Sequence, residues 1–362
     1  MSLNHSPSIV TNGLVMYYDM NNTKKSWKGM PVTNLFGDIV NYAGLNSYWF
    51  LLDNNTNYFL ISSSYNSWCM NFVCTLAAST QYTLSFEYKT ASAGTLVIDN
   101  DGVDDNTWNA TINTTSDWQT YTFTRTEITA GVMTLYFRRN TGGDIEVRNV
   151  QIEANSFASG FVKGTRSTTQ AIVDLTGNNT LTATNLTYNS NNTFSFNGTN
   201  SWLESPTSTV FDSQTITMES WNKPTATSQS GFLFEKGQVN TQYSNFYDIS
   251  GTFYFRIAGL TPLDLTFAAA TYITAGQWNH IVCTYGAGIK TIYVNGVQII
   301  QQTGVTGTLA TGNINQYIGK YGSAAINYPF NGQIGQSRVY NRALTASEVT
   351  QNFNAHRRGY GI

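Results

Sequence analysis

Charge is scarce in this chain: lysine, arginine, aspartate and glutamate make up 11% of its 362 residues, and the formal net charge is -2. That balance gives no electrostatic footprint for duplex DNA or an anionic membrane, both of which need clustered lysine and arginine. No nucleic-acid partner and no membrane insertion are therefore expected. Cysteine is scarcer still. Cys69, Cys74 and Cys283 are an odd number without metal-type spacing, which argues against a disulfide scaffold and a cysteine zinc site and leaves a Cys69–Cys74 bridge open. The first twenty residues, MSLNHSPSIVTNGLVMYYDM, lack a basic leader, and Asn12-Gly13 interrupts their apolar run, so neither a secretory signal nor a spanning helix is expected there. Only 6 prolines, against 14% aromatic residues, argue against disorder.

Neutral polar groups fill the space instead. The chain has 39 asparagines and 50 threonines, beside 30 glycines. Asparagine and glycine favour turns while threonine and the aromatics favour strands, which predicts an all-β protein with many short loops. In YTLSFEYK, Tyr82, Leu84, Phe86 and Tyr88 fall on one face and Thr83, Ser85, Glu87 and Lys89 on the other. Further strands are expected at 96–99, 118–125, 133–139 and 145–152, separated by turn clusters such as DNDGVDDN and NTGGD, and this spacing predicts a β-sandwich. A second β-rich region runs from about residue 171 to the end. There WNHIVCTY and KTIYVNGVQI predict a hairpin around Gly286-Ala287-Gly288, and Asn295-Gly296 is the strongest two-residue turn signal. One helix is expected, at the C-terminus, opened by the capping box Thr345-Ala-Ser-Glu348 with Val349 and Phe353 on one face.

Four consecutive pieces carry a family resemblance: FNGTNSWLE, TITMESWNKP, QWNHIVCTYGAGIKTIYVNGVQI, and YIGKY followed by FNGQIGQSRVYNRALTASEV. They resemble the laminin-G-like branch of the concanavalin A-like lectin/glucanase superfamily, and GLVMYYDM and AIVDLTGNNTLTATN look like the opening of the same domain. The stretch from NLFGDI to VRNVQIEANSFASGFVKGTRS is similar to jelly-roll carbohydrate-binding modules. Its closing phrase, QIE followed by FVKGTRS, resembles an element of tailed-phage structural proteins. The resemblance implies two β-sandwich jelly rolls, the first inserted into the second: an N-terminal tail at 1–12, a laminin-G-like sandwich from 13–30 and 165–362, and an inserted module at 31–164.

Catalytic chemistry is thinly represented. Glucanases of the resembling superfamily carry an E-x-D-x-x-E strand, and none of the eight glutamates here begins that motif. The nearest look-alike is Asp144-x-Glu146. His5, His280 and His356 have no evident serine or cysteine partner, and His280 reads as structural. No enzyme is expected and no catalytic residue is assigned. For metal, Asp99, Asp101, Asp104 and Asp105 in DNDGVDD offer oxygen ligands for a structural calcium, against a solvated tight turn. In the resembling modules an acidic residue of the last strand holds calcium, and here that position is Asn149.

Sugar binding needs aromatic rings beside amides and carboxylates. The candidates in the inserted module are the loop residues Tyr58, Tyr65, Trp68 and Trp108, while Trp118 begins a strand and is expected to pack. In the second sandwich they are Tyr243, Tyr247 and Tyr321, with Asn245 and Tyr328 nearby; Trp221 and Trp278 match family core positions. The resulting expectation is a noncatalytic tailed-phage virion protein on a tail, fibre or capsid surface, made in the host cytoplasm, with a glycan-binding or adhesion role. Its partners would be other virion proteins, further copies of itself, and cell-surface or environmental glycans, and no cofactor would be required beyond the candidate calcium. The alternative is a bacterial carbohydrate-binding protein or accessory module, and a glycoside-cleaving enzyme comes third.

Overall fold

The computed structural model describes residues 8–20, 22, 25–28, 31–36, 49–63, 70–102, 107–189, 193–237, 243–312, 314–322 and 328–362. Strands dominate, and they form two compact units: residues 29–167, and residues 1–28 together with 168–362. The fold is all-β, with two sandwiches and one short C-terminal helix; a further four-residue helical turn lies at Thr168–Ala171.

The sandwich of 29–167 has a four-stranded sheet in the order Met70–Leu76, Gly131–Thr141, Gly94–Gly102, Ala110–Thr114. Its second sheet has five strands in the order Trp49–Asp53, Tyr58–Ile61, Ile145–Glu153, Gln81–Thr90, Gln119–Thr126. All pairings are antiparallel. Two-residue alternation builds the core, because successive side chains leave a strand on opposite sides. Met70, Phe72, Cys74 and Leu76 are buried from one sheet, and Tyr82, Leu84, Phe86 and Tyr88 from the other. Phe59, Phe72, Phe86 and Phe137 meet between them at centroid separations of 5.1–6.0 Å.

The larger unit packs an eight-stranded sheet on a seven-stranded one. The first runs Thr187–Asn189, Thr193–Asn197, Asn331–Tyr340, Ile216–Pro224, Asn279–Gly286, Ile289–Val294, Val297–Gln302, with Leu14–Asp19 also paired to Asn331–Tyr340. The expected hairpin closes at Ala287-Gly288, since Gly286 pairs with Ile289; both loop residues have positive φ, 51° and 72°. Asn295-Gly296 closes the next turn at 50° and 79°. Two positive φ values in succession are the geometry of a type I′ turn, which asparagine and glycine tolerate.

The helix Ala346–His356 has both halves of its capping box: the Glu348 amide donates to Thr345 Oγ1 (3.3 Å) and the Thr345 amide to Glu348 Oε2 (2.9 Å). Together with the turn Arg357–Tyr360 it covers the outer face of the eight-stranded sheet. There Trp221 stacks on Tyr360 (4.3 Å, 11°) and on Phe353 (5.7 Å, 8°). Beneath it lies a buried polar network. Glu219 receives Arg338, His280 Nε2 (2.9 Å) and Asn352 Nδ2 (2.7 Å), and Asn352 Oδ1 accepts from the Val10 amide (2.8 Å). Removing one partner from a buried set like this leaves an uncompensated charge. The network therefore ties the helix and the N-terminal segment to the sheet.

Candidate functional site

The helix caps the outer face of the eight-stranded sheet, and the outer face of the seven-stranded sheet carries a cavity. Its strands are ordered Thr182–Thr184, Trp202–Ser205, Gln316–Ile318, Gly231–Lys236, Tyr243–Tyr247, Thr252–Ile257, Asp264–Ala268. Register places two parallel rows on that face. One is aromatic: Phe232 lies opposite Phe246, and Phe246 opposite Tyr254. The other is polar: Glu204 lies opposite Tyr317, Tyr317 opposite Glu235, Glu235 opposite Ser244, Ser244 opposite Arg256, and Arg256 opposite Asp264.

Phe232, Phe246 and Tyr254 stack along their row, with centroids 4.5 and 4.9 Å apart and planes at 15° and 1°. Their faces are used against one another, so the row presents ring edges, the positive rim of the aromatic quadrupole. Tyr321 and Tyr328 stand over Phe232 at 5.4 and 6.4 Å and 5.9 Å from each other. Tyr328 is 43% exposed. Between these rings and the turn at Asp248 lies a cavity of about 380 Å³, lined by Ser230, Phe246, Asp248, Tyr254, Arg256 and Tyr328 among others. That volume falls in the range of about 300–1,000 Å³ typical of small-ligand pockets.

The electrostatics of the face are internally settled. Arg256 donates through Nε and Nη2 to the two Asp264 oxygens (2.7 and 2.8 Å), a bidentate pair that raises the guanidinium further. Asp248 accepts from the Ser250 amide (2.7 Å), and this bonding with Ser250 lowers its pKa. Glu235 is 1% exposed and accepts from the Gly322 amide (2.8 Å). Burial pushes its carboxyl up to about 9 against the pull of that amide, Arg256 and Lys320, so it is a neutral acid at pH 7. On the far side of Gly322, the Lys320 ammonium lies 3.8 Å from the Trp202 ring centroid and 4.7 Å from that of Tyr317, and Glu204 accepts from Asn315 (2.7 Å).

Of the expected ligand residues, Tyr247 borders the cavity, and Tyr321 packs beside it against Phe232 and Tyr328. Tyr243 and Tyr247 are corrected: they belong to a strand rather than a loop, and their parity turns them into the sandwich. Tyr243 donates to the Phe211 carbonyl (3.2 Å), and Tyr247, although it borders the cavity, donates to Asn222 Oδ1 (2.8 Å) on the opposing sheet. Asn245 likewise faces Cys283. The outward residues of that strand are Ser244 and Phe246, which the sequence reading passed over.

In the smaller unit Trp108 is corrected too. It is fully buried, and its Nε1 donates to Glu127 Oε1 (2.6 Å), a core anchor rather than a platform. Tyr58 is half-buried; its hydroxyl donates to Glu146, and burial, followed by that carboxylate, pushes it up to about 12. Its ring meets the edge of Trp118 at 5.8 Å, and Arg148 and Lys89 lie 3.8 and 4.9 Å from the Trp118 centroid. Those cations are paired with Glu87 and Glu146, so the cluster is a closed set of cross-strand contacts. Tyr65 and Trp68 lie outside the described residues.

The aspartate group is divided. Asp99 closes the strand expected at 96–99, and that strand runs on through Asp101, where a turn is expected from sequence; they lie opposite Tyr136 and Thr134, while Asp104 and Asp105 lie outside the described residues. Asn149 does not fit the calcium role. At φ 57° it donates its amide to Glu87 (3.2 Å), whose carboxylate also holds Arg148, so a cation there would meet donors and a guanidinium. Among the described residues no group of three or more His, Cys, Asp or Glu side chains is placed to hold a metal. Cys74 and Cys283 are free and buried, and burial pushes the Cys74 thiol up to about 12. Asp144 accepts from the Ser63 amide (2.6 Å) while Glu146 takes Tyr58 and Lys89, so the look-alike pair is engaged in structural bonds. His280 lies in the core network, and His5 is outside the described residues.

The two-sheet sandwich of the larger unit agrees with the family comparison. Residues 197–350 match the concanavalin A-like lectin/glucanases superfamily. No curated protein matches the chain. Among solved structures, the chain is similar to the binding domain of botulinum neurotoxin DC in complex with SialylT, at 14% identity and a TM-score of 0.40, covering 51% of this chain and 49% of that one. It is also similar to the botulinum neurotoxin serotype D binding domain (12%, TM-score 0.42, covering 53% and 50%). The binding domain of Paraclostridial Mosquitocidal Protein 1 gives 19%, a TM-score of 0.41, and coverage of 51% and 49%. The chain thus spans about half the length of each. No helix among the described residues is long and apolar enough to cross a membrane.

Proposed function

We propose that the protein is a noncatalytic glycan-binding protein whose site is the cavity on the outer face of the seven-stranded sheet. The observation that carries this is the pairing, in one cavity, of an aromatic row and an exposed Tyr328 with hydroxyl and carboxylate groups from Ser230, Tyr254 and Asp248. Pyranose rings present apolar C–H patches and a rim of hydroxyls, and that surface is matched by rings beside hydrogen-bonding groups. A glycan array with the parent and Tyr328→Ala tests it: binding that is present in the parent and lost in the variant supports the site, and no binding in the parent removes it.

The carboxylates of this face are Glu204 and Glu235 on either side of Tyr317, Asp264 closed on Arg256, and Asp248 at the cavity wall. Glu235 is sealed under Gly322, which favours binding over hydrolysis. We further place the protein on the surface of a tailed-phage virion, as a component of a tail, fibre or capsid that contacts other virion proteins and its own copies. The support is the phrase QIE followed by FVKGTRS. Repeated display there would raise avidity for weak single sites. Mass spectrometry of purified particles tests the placement, and a protein found only with cells in a lysate favours a bacterial carbohydrate-binding protein instead.

A further inference from the structure

The charge arrangement around the cavity bears on which glycans it accepts. An acidic sugar is favoured where a cation is free to receive its carboxylate, sulfate or phosphate. The cation lining this cavity is Arg256, and its Nε and Nη2 are closed on Asp264 in a bidentate pair. The other wall carries Asp248, which Ser250 holds as a carboxylate. Lys320, the next cation on the face, is stacked over Trp202 and Tyr317 rather than at the cavity. The stretches Gln238 to Gln242 and Ser323 to Asn327, which adjoin these strands in sequence, contain no lysine, arginine or histidine. The floor is made of ring edges and the rim of hydroxyls, which serve neutral hydroxyl groups well.

Building on the glycan-binding reading above, we infer that the cavity selects uncharged sugar units and discriminates against units bearing carboxylate, sulfate or phosphate. Two contributions act in the same direction: Asp248 repels an incoming anion, and the Arg256 charge is offset by the Asp264 carboxylate paired to its Nε and Nη2. An anion would have to compete with an intramolecular carboxylate held at 2.7–2.8 Å.

The test uses the full chain and paired glycans that differ only by an acidic group, with binding constants measured by calorimetry. The parent is expected to bind the neutral member at least tenfold more tightly than the acidic one. Asp264→Asn, which releases Arg256, should narrow that gap by tenfold or more through a gain for the acidic member. Asp248→Asn, in a surface turn, should narrow it less and serves as a second variant should Asp264→Asn disturb its strand. A parent that binds the acidic member equally or better, with binding still lost in Tyr328→Ala, overturns the selectivity and leaves the site in place. Neutral preference unchanged in both aspartate variants also overturns it. No glycan binding, or binding indifferent to Tyr328→Ala, overturns the glycan-binding reading itself.

Discussion

Phe246 and Tyr254, opposite one another on neighbouring strands, stack with ring planes 1° apart and centroids 4.9 Å apart. Aromatic pairs of this kind contribute about 0.5–1.5 kcal/mol beyond their buried area. The pair also sets the cavity floor, because a ring held on both faces cannot turn its edge away. The candidate site is thus built on sheet residues whose positions the ladder fixes, while Tyr328 supplies the exposed wall.

Tyr328→Ala should weaken glycan binding by about 1–3 kcal/mol if stacking on a sugar resembles stacking on a nucleobase. Since the ring is 43% exposed, the melting temperature should hardly move. Calorimetric titration alongside a thermal melt checks both halves, and a large melting loss would recast the ring as packing.

Trp108→Ala should do the reverse. Losing a fully buried tryptophan costs about 3–5 kcal/mol of folding stability, and here it also removes the indole partner of Glu127. Differential scanning calorimetry should show the transition of the smaller unit shifted down, with glycan affinity unchanged.

Acid should destabilise the larger unit in two stages. Burial, then Arg338, hold His356 down at about 4 against its ordinary 6.5. The unfolded chain therefore takes up a proton between those values that the folded one refuses, and stability falls as pH drops through that window. For Glu219, burial acts upward, but Arg338, His280 and Asn352 outweigh it and hold the carboxylate at about 2 instead of 4.5. Its contribution is full above about 4.5 and disappears towards 2. Urea midpoints measured from pH 7 to 3 should decline throughout, and His356→Asn should flatten the part above pH 4.5. An unchanged slope in that variant would assign the first stage to another group.

Thr345→Ala removes the cap of the C-terminal helix and should cost about 1 kcal/mol. Chemical unfolding of the parent and variant measures it. Deleting residues 1 to 20 should cost much more, because it removes the strand paired to Asn331–Tyr340 and the Val10 contact to Asn352. The larger unit should melt earlier or aggregate through its bared edge, while the smaller unit keeps its transition. An unmoved transition for the larger unit would contradict the pairing.

The fold was legible because its signals are local. The alternation in YTLSFEYK, the Asn295-Gly296 turn and the Thr345–Glu348 box each act over a few residues, and all three appear as expected. The site was less so. Tyr243, Asn245 and Tyr247 carry suitable side-chain chemistry, yet which alternate set of a strand faces outward depends on pairing with strands far away in sequence. The signal available was the neighbouring Phe246, in step with Tyr254 and Arg256 across a short turn. Trp108 shows the same difficulty: a ring in a glycine- and aspartate-rich stretch looks exposed, and only the fold reveals Glu127 beneath it.

The two-residue ladder between Val32–Thr33 and Thr165–Arg166 has a kinetic consequence. It closes the neck of the central unit, whose strands all pair within 29–167 and can form while the rest of the chain is still being made. Once that neck is shut, Trp27 and Ile172, which bridge just outside it, are separated by a short tether instead of a long free loop. By loop-closure entropy the saving is roughly 2 kcal/mol. The strand Leu14–Asp19 still has to wait for its distant partner Asn331–Tyr340 to be completed. Early folding of the middle should therefore set the pace for the ends, and variants that weaken the neck should slow assembly of the outer sandwich more than they lower its final stability.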